Sequence, residues 1–273
     1  MLPRHPSAEP FFLATGAGER FCLFHPAAGE LRGALVYLHP FAEEMNKSRR
    51  MAALQARELA AGGFAVLQLD LQGCGDSDGD FGDARWEQWK DDVALACQWL
   101  RERTGVTPGV WGLRLGALLA LDYARSATPA PAQLLLWQPV LQGATFMTQF
   151  LRLRVAGAML DDSAPAAGTK ELRAMLAAGE PLEVAGYELA PQLVAAIDAL
   201  EGSAMAPPCP VIWIEVVAAP ERPAPPPAVR TAAAWGSQTS LHTVAGPMFW
   251  STQEIEEAPA LIALTCTLMG ASP

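Results

Sequence analysis

The sequence predicts a doubly wound α/β fold with a mostly parallel sheet and a helical cap inserted into it. Three observations carry this. Short, continuous apolar runs recur along the chain, as expected of parallel strands covered on both faces. Helical segments alternate with them. The alternation then breaks once, between Gly143 and Ala206.

The elements follow in order. Two extra strands are expected around Phe11 to Leu13 and Arg20 to Phe24. The regular strands are "GALVYLHP" (Gly33 to Pro40), "FAVLQLDL" (Phe64 to Leu71), "GVWGL" (Gly109 to Leu113), "QLLLWQPV" (Gln133 to Val140), "PVIWIEVV" (Pro210 to Val217) and "SLHTVAG" (Ser240 to Gly246). Ser48 to Ala61 is rich in Ala, Leu, Arg and Glu and predicts a helix. Trp86, Trp89, Val93, Cys97 and Leu100 line up at i, i+3, i+7, i+11 and i+14, the stripe of an amphipathic helix lying on a sheet. Leu115 to Ser126 and Glu254 to Met269 are the other regular helices. In the interruption, "GATFMTQFLRLRVAGAML" and "TKELRAMLAAGE" read as helical, and "PLEVAGYELAPQLVAAIDAL" as a short hairpin and a helix. This divides the chain into a core of residues 1–142 and 207–273 and a cap of residues 143–206, above the carboxyl ends of the strands. "APERPAPPPAV" is a proline-rich loop leading into a further helix.

Composition narrows the function. Of 273 residues, 51% are apolar, enough for a sizeable core. The net charge of −10, with no Lys/Arg block, argues against nucleic acid or an anionic membrane as partner. The five cysteines are scattered, with no C-x-x-C and an odd count, which argues against a disulfide framework. The start lacks a long apolar run and no stretch suits a spanning helix. Together these predict a soluble cytoplasmic protein. No His/Asp/Cys spacing resembles a metal site, and no cofactor is implied.

Four motifs fall in sequence: "HPF" after one strand, "DLQGCGDSDG" after the next, "GLRLG" between a strand and a helix, and a late strand ending in "AGPMFW". This order resembles the α/β-hydrolase superfamily from about Phe11 to Thr265. "HPFAEEMNKSRRM", "LLLWQPVLQGATFMTQFLRLRVA" and "FWSTQEIEEAPALI" are similar to the exosortase A system-associated hydrolase 2 family. That resemblance implies a bacterial protein accompanying exopolysaccharide and PEP-CTERM protein-sorting gene clusters.

The superfamily's G-x-S-x-G elbow reads Gly112-Leu113-Arg114-Leu115-Gly116 here. A guanidinium has no lone pair with which to attack and stays protonated to a pH of about 12 or more. Val217, Ala218 and Ala219 stand where the resemblance implies the acid; Glu221 is the nearest later carboxylate and Glu215 lies inside the strand. Pro247 stands where it implies the histidine, and His242 lies five residues earlier, roughly 16 Å away along a strand. These positions predict no standard serine chemistry.

The remaining candidates form a binding pocket. The resemblance implies an oxyanion site made by the backbone amides of Leu115 and Phe41. A helix N-terminus favours anions, and Arg114 adds a planar fork of donors. One reading is a pocket for a small acidic ligand or a partner protein, such as the companion hydrolase-like protein of the same cluster. The other is an internal ion pair of Arg114 with Glu43, Glu44 or Glu254. A third possibility is an active acyl or ester hydrolase using Cys74 and His39, both expected near the cleft, provided the thiol pKa is lowered. Asp76 and Asp78 read as local turn-formers.

Overall fold

The computed structural model describes residues 6–158 and 167–270. Eight strands form one sheet in the order β1-β2-β4-β3-β5-β6-β9-β10. They are β1 (Glu9–Thr15), β2 (Gly18–His25), β3 (Gly33–Leu38), β4 (Phe64–Leu69), β5 (Gly109–Leu113), β6 (Leu134–Trp137), β9 (Val211–Val217) and β10 (Thr239–Ala245). β1 pairs antiparallel with β2, and β2 antiparallel with β4. All the other pairs are parallel. This is the α/β-hydrolase fold.

Helices α1 (Glu43–Ala61) and α8 (Pro259–Leu268) cover one face, α2 (Trp86–Thr104), α3 (Leu115–Ser126) and α7 (Pro226–Trp235) the other. Two cores result. Tyr37, Trp111, Trp137 and Phe249 fill the first, where Tyr37 and Trp111 meet with ring centroids 4.3 Å apart. The second contains the full α2 stripe of Trp86, Trp89, Val93, Cys97 and Leu100, so the tryptophans are core. Trp86 Nε1 donates to Asp122 and Trp89 Nε1 to the Gln72 carbonyl, which satisfies the polar edge of each buried ring. α2 stops at Gly105, whose φ of 76° is the left-handed closure of a helix end.

Between β6 and β9 lie α4 (Gly143–Ala158), α5 (Thr169–Ala177), the hairpin β7 (Leu182–Val184) and β8 (Tyr187–Leu189), and α6 (Pro191–Asp198). The hairpin and helix read from "PLEVAGYELAPQLVAAIDAL" are present. The last two residues of the predicted α4 segment, Met159 and Leu160, lie outside the described residues.

β3 and β4 each stop two residues before the ends of their apolar runs, and four further differences from the sequence reading have a local cause. α1 begins at Glu43 rather than Ser48, because Ala42 (φ 51°) turns the chain at once after Pro40 and two glutamates favour the first turn. β6 ends at Trp137, where Gln138 takes a φ of 44°. The last helix begins at Pro259, a proline suited to a first turn, rather than Glu254. Asp78 is not a local turn-former: its Oδ2 accepts the Glu19 amide at 2.8 Å, 59 residues away. Ser77 acts alongside it, accepting the Phe21 amide and donating to the Asp70 carbonyl. The "GCGDSDG" loop therefore holds the β1–β2 hairpin against the rest of the sheet. A fully buried Arg20–Asp92 ion pair at 2.9 Å does the same from α2.

Candidate functional site

The turn from β5 into α3 is the centre of the site. Arg114 has φ 56° and ψ −117°. A residue with a Cβ held in such a sparsely populated region costs about 1–3 kcal/mol, so the surroundings must over-determine it. They do so through the two flanking glycines. A Cβ on Gly112 would lie 2.5 Å from the Ala117 Cα, and one on Gly116 would lie 2.3 Å from the Leu38 carbonyl oxygen. Strand and helix are thus pressed together around Arg114, as a nucleophile elbow requires.

The guanidinium is held on three sides. Glu44 Oε1, from the first turn of α1, lies 3.4 Å from Nε and 3.5 Å from Nη2. The Phe146 ring of α4 is 5.9 Å away and the Trp250 ring, after β10, 5.6 Å. Both distances suit cation–π attraction. Glu44 is the internal ion-pair partner; of the three glutamates considered for that role, it is the one that meets Arg114. Glu44 Oε2 is buried with no partner among the described residues. Burial pushes the Glu44 carboxyl above the ordinary range, and Arg114 partly offsets this.

A cleft of about 760 Å³ opens beside the turn, lined by Arg114, Gln138, Gln142, Thr145, Glu215 and Arg230 among others. The sequence places Glu215 inside a strand. In the structure it is 4% exposed and sits on the cleft wall. Trp213 Nε1 donates to its Oε1 at 2.7 Å. Burial raises its pKa, while the hydrogen bonds of Trp213 and Gln138 and the charge of Arg114 pull the other way. Gln138 is fixed from behind, because its Oε1 accepts the Val216 amide at 2.7 Å. Phe146 and Trp250 were also missed. No sequence spacing joins these four to Arg114; only sheet register and helix packing bring them together.

The six predicted pocket residues divide. Arg114 and Glu44 meet as described. His39, Phe41, Cys74 and Leu115 line a separate, much smaller pocket of about 10 Å³. The Phe41 ring is buried against Phe81, Trp89, Phe146 and Phe150. Leu115 opens α3, so its amide has no carbonyl within the helix to bond. His39 is fully engaged: Nδ1 lies 2.8 Å from the Pro40 carbonyl and Nε2 accepts the Leu71 amide at 3.3 Å. A carbonyl accepts only, so Nδ1 carries the proton and the ring is neutral. Burial pushes its pKa down, in keeping with that state. Burial also pushes the Cys74 thiol far above its ordinary value, the opposite of what a nucleophilic cysteine needs.

Pro247 follows β10 and is half-buried, while His242 sits in mid-strand paired with Ile214. Glu221 is exposed in the loop after β9. Among the described residues no group of three or more His, Cys, Asp or Glu side chains could hold a metal ion. No helix among them is long and apolar enough to cross a membrane.

Residues 29–199 match the family model described as "Serine aminopeptidase, S33". The chain belongs to that family. The human protein ABHD12B is 33% identical over 109 residues, which are 40% of this chain and 29% of that protein, so the match spans under a third of the relative. Among solved structures, a soluble variant of monoglyceride lipase from Saccharomyces cerevisiae, in complex with a substrate analog, superposes with a TM-score of 0.68 at 12% identity, covering 100% of this chain and 98% of that one. Est1E from Butyrivibrio proteoclasticus, with ferulic acid bound, gives 0.62 at 14% identity over 95% and 96%. At these identities the likeness is one of fold.

Proposed function

We propose that this S33-family chain is a non-hydrolysing α/β-hydrolase that binds an acidic ligand, or an acidic segment of a partner protein, over its elbow. In this reading Arg114 and the Leu115 amide receive the anion, and residues 143–206 act as a cap that supplies Phe146. The serine, acid and histidine positions of the family are then Arg114, the Val217–Ala219 stretch and Pro247, a triad that has been lost. The resemblance to the exosortase A system-associated family supports a bacterial role alongside PEP-CTERM sorting and exopolysaccharide systems, the scattered cysteines and the acidic composition support a cytoplasmic setting, and the companion hydrolase-like protein is the partner to test first.

The observation that carries this reading is the caged guanidinium on the strained turn, beside a cleft large enough for a small ligand. Its contacts to Glu44, at 3.4–3.5 Å, are longer than the roughly 2.7–2.9 Å of a full charge-assisted bond. Donor capacity therefore remains for a ligand. The alternative, acyl transfer by Cys74 with His39 as base, is opposed by the raised thiol pKa and by the commitment of both His39 nitrogens.

Calorimetric titration of benzoate, phosphate and sulfate into the wild type and Arg114→Ala tests the reading. Wild type should bind at least one of these anions, and Arg114→Ala should bind it at least tenfold more weakly. Equal behaviour of the two proteins would overturn the assignment.

A further inference from the structure

We infer that Glu215 is a second ligand-facing group of this cleft, and that an organic monocarboxylate docks between Glu215 and Arg114 with the uptake of one proton from solvent, held between the two facing carboxyl groups. This rests on the acidic-ligand reading above and specifies its chemistry.

The charges at the site compel a proton. Arg114 is one largely enclosed cation, and Glu44 and Glu215 are two sequestered carboxyl groups beside it. Arg230 lines the same cleft from α7 but is exposed at its rim. With these groups ionised, an arriving carboxylate meets two sequestered carboxylates against one sequestered guanidinium, because the Arg230 charge is screened by solvent at the rim. Two carboxyl groups facing each other at short range cannot both stay ionised, and the pair titrates as a unit holding one proton.

Glu215 is the member placed to share that proton. It lines the cleft, whereas Glu44 approaches Arg114 from α1 and is not among the cleft-lining residues. The β5–α3 turn presents Arg114, the end of β6 presents Gln138, β9 itself presents Trp213, and α7 presents Thr231 and Arg230. On β10 its register partner is Thr243, while His242 pairs with Ile214 and projects to the opposite face. Among the described residues no histidine therefore competes for the proton. Burial already biases Glu215 toward its neutral form. The same argument sets the ligand class. A monocarboxylate can share a proton with Glu215, whereas sulfate, a dianion that does not titrate in this range, brings more repulsion and takes none.

The test is calorimetry of the full chain with benzoate at pH 5.5, 6.5 and 7.5, in two buffers of different ionisation heat. The expected result is uptake of close to one proton per benzoate at pH 7.5, and affinity that weakens toward tenfold per pH unit as the pH rises, the limit for one linked proton. Glu215→Gln should abolish both the uptake and the pH dependence, and Glu44→Gln should keep the uptake. Sulfate should bind more weakly than benzoate at pH 5.5. Because uptake is measured on the wild type, the inference stays testable even if a variant folds poorly. Benzoate binding that depends on Arg114 but takes up no proton, or equal uptake in Glu215→Gln, overturns this inference alone. Failure of the wild type to bind any anion at any pH removes the acidic-ligand reading and this inference with it.

Discussion

Replacing Arg114 with serine puts a hydroxyl on the elbow and is expected not to make a working hydrolase. The turn itself should persist, since Gly112 and Gly116 hold it through backbone contacts that the substitution does not touch. What is missing is activation. A serine needs a base within about 3 Å, itself oriented by an acid. Among the described residues the histidines are His25, His39 and His242. His25 bonds Gln68, and both nitrogens of His39 are committed to the backbone. His242 lies five residues before Pro247, roughly 16 Å along the strand. Oxyanion donors alone remain, and established serine proteases without their triad keep roughly 10³- to 10⁴-fold over water. The variant should therefore stay at or below that level and show no burst. It also leaves Glu44 without its cation. The pair is about one-fifth exposed, so the stability cost should be about 1–2 kcal/mol, between the values for surface and buried pairs. The assay is stopped-flow hydrolysis of p-nitrophenyl acetate with mass detection of an acyl-enzyme. A fast burst with a stoichiometric acyl adduct would refute the reasoning, because it would require a base that the geometry does not contain.

Three further outcomes follow from named contacts. Gly116→Ala gains about 1 kcal/mol of helix propensity, but its Cβ would sit 2.3 Å from the immovable Leu38 carbonyl. Net destabilisation of about 2–3 kcal/mol is expected by denaturant unfolding, and a neutral or stabilised variant would contradict the tight elbow. Cys74 is buried with a strongly raised pKa, so iodoacetamide should not alkylate it at pH 8 until the protein unfolds; peptide mapping that finds it modified in the folded state would restore the thiol reading. Glu215 has a folded pKa above its unfolded value, so its contribution to stability is fully present below the unfolded pKa and is lost as the pH rises through the folded one. Glu215→Gln should thus gain stability relative to wild type between pH 5 and pH 8, read from urea midpoints. A difference that does not vary with pH would mean that Glu215 is not desolvated.

Much of the fold is legible in the sequence because its determinants are local. The α2 stripe from Trp86 to Leu100 marks a helix on a sheet, and α3 occupies the predicted Leu115 to Ser126. The start of α1 is less legible, since it depends on Ala42 adopting a positive φ that no side chain announces. Asp78 looks like a turn residue because its real partner, the Glu19 amide, lies on a distant hairpin. The site divides in the same way. Arg114 on its turn and the Glu44 ion pair can be anticipated from the Gly-x-Arg-x-Gly pattern and from the acids near α1. Glu215 and Trp250 cannot, because β9 register and the path of the chain after β10 bring them to Arg114. The Phe41 ring belongs to the aromatic cluster under α4, which its sequence neighbours do not announce.

In the proposed reading, Arg114 has replaced hydrolysis with binding at this elbow. The most direct measurement is intact-mass analysis of the wild-type chain after treatment with a fluorophosphonate, alongside its rate on a panel of short p-nitrophenyl esters. No adduct and no turnover above the buffer rate are expected, because the elbow carries a guanidinium and no described histidine is placed to activate a hydroxyl there. A stoichiometric adduct on any residue, with ester turnover that the same reagent abolishes, would contradict it.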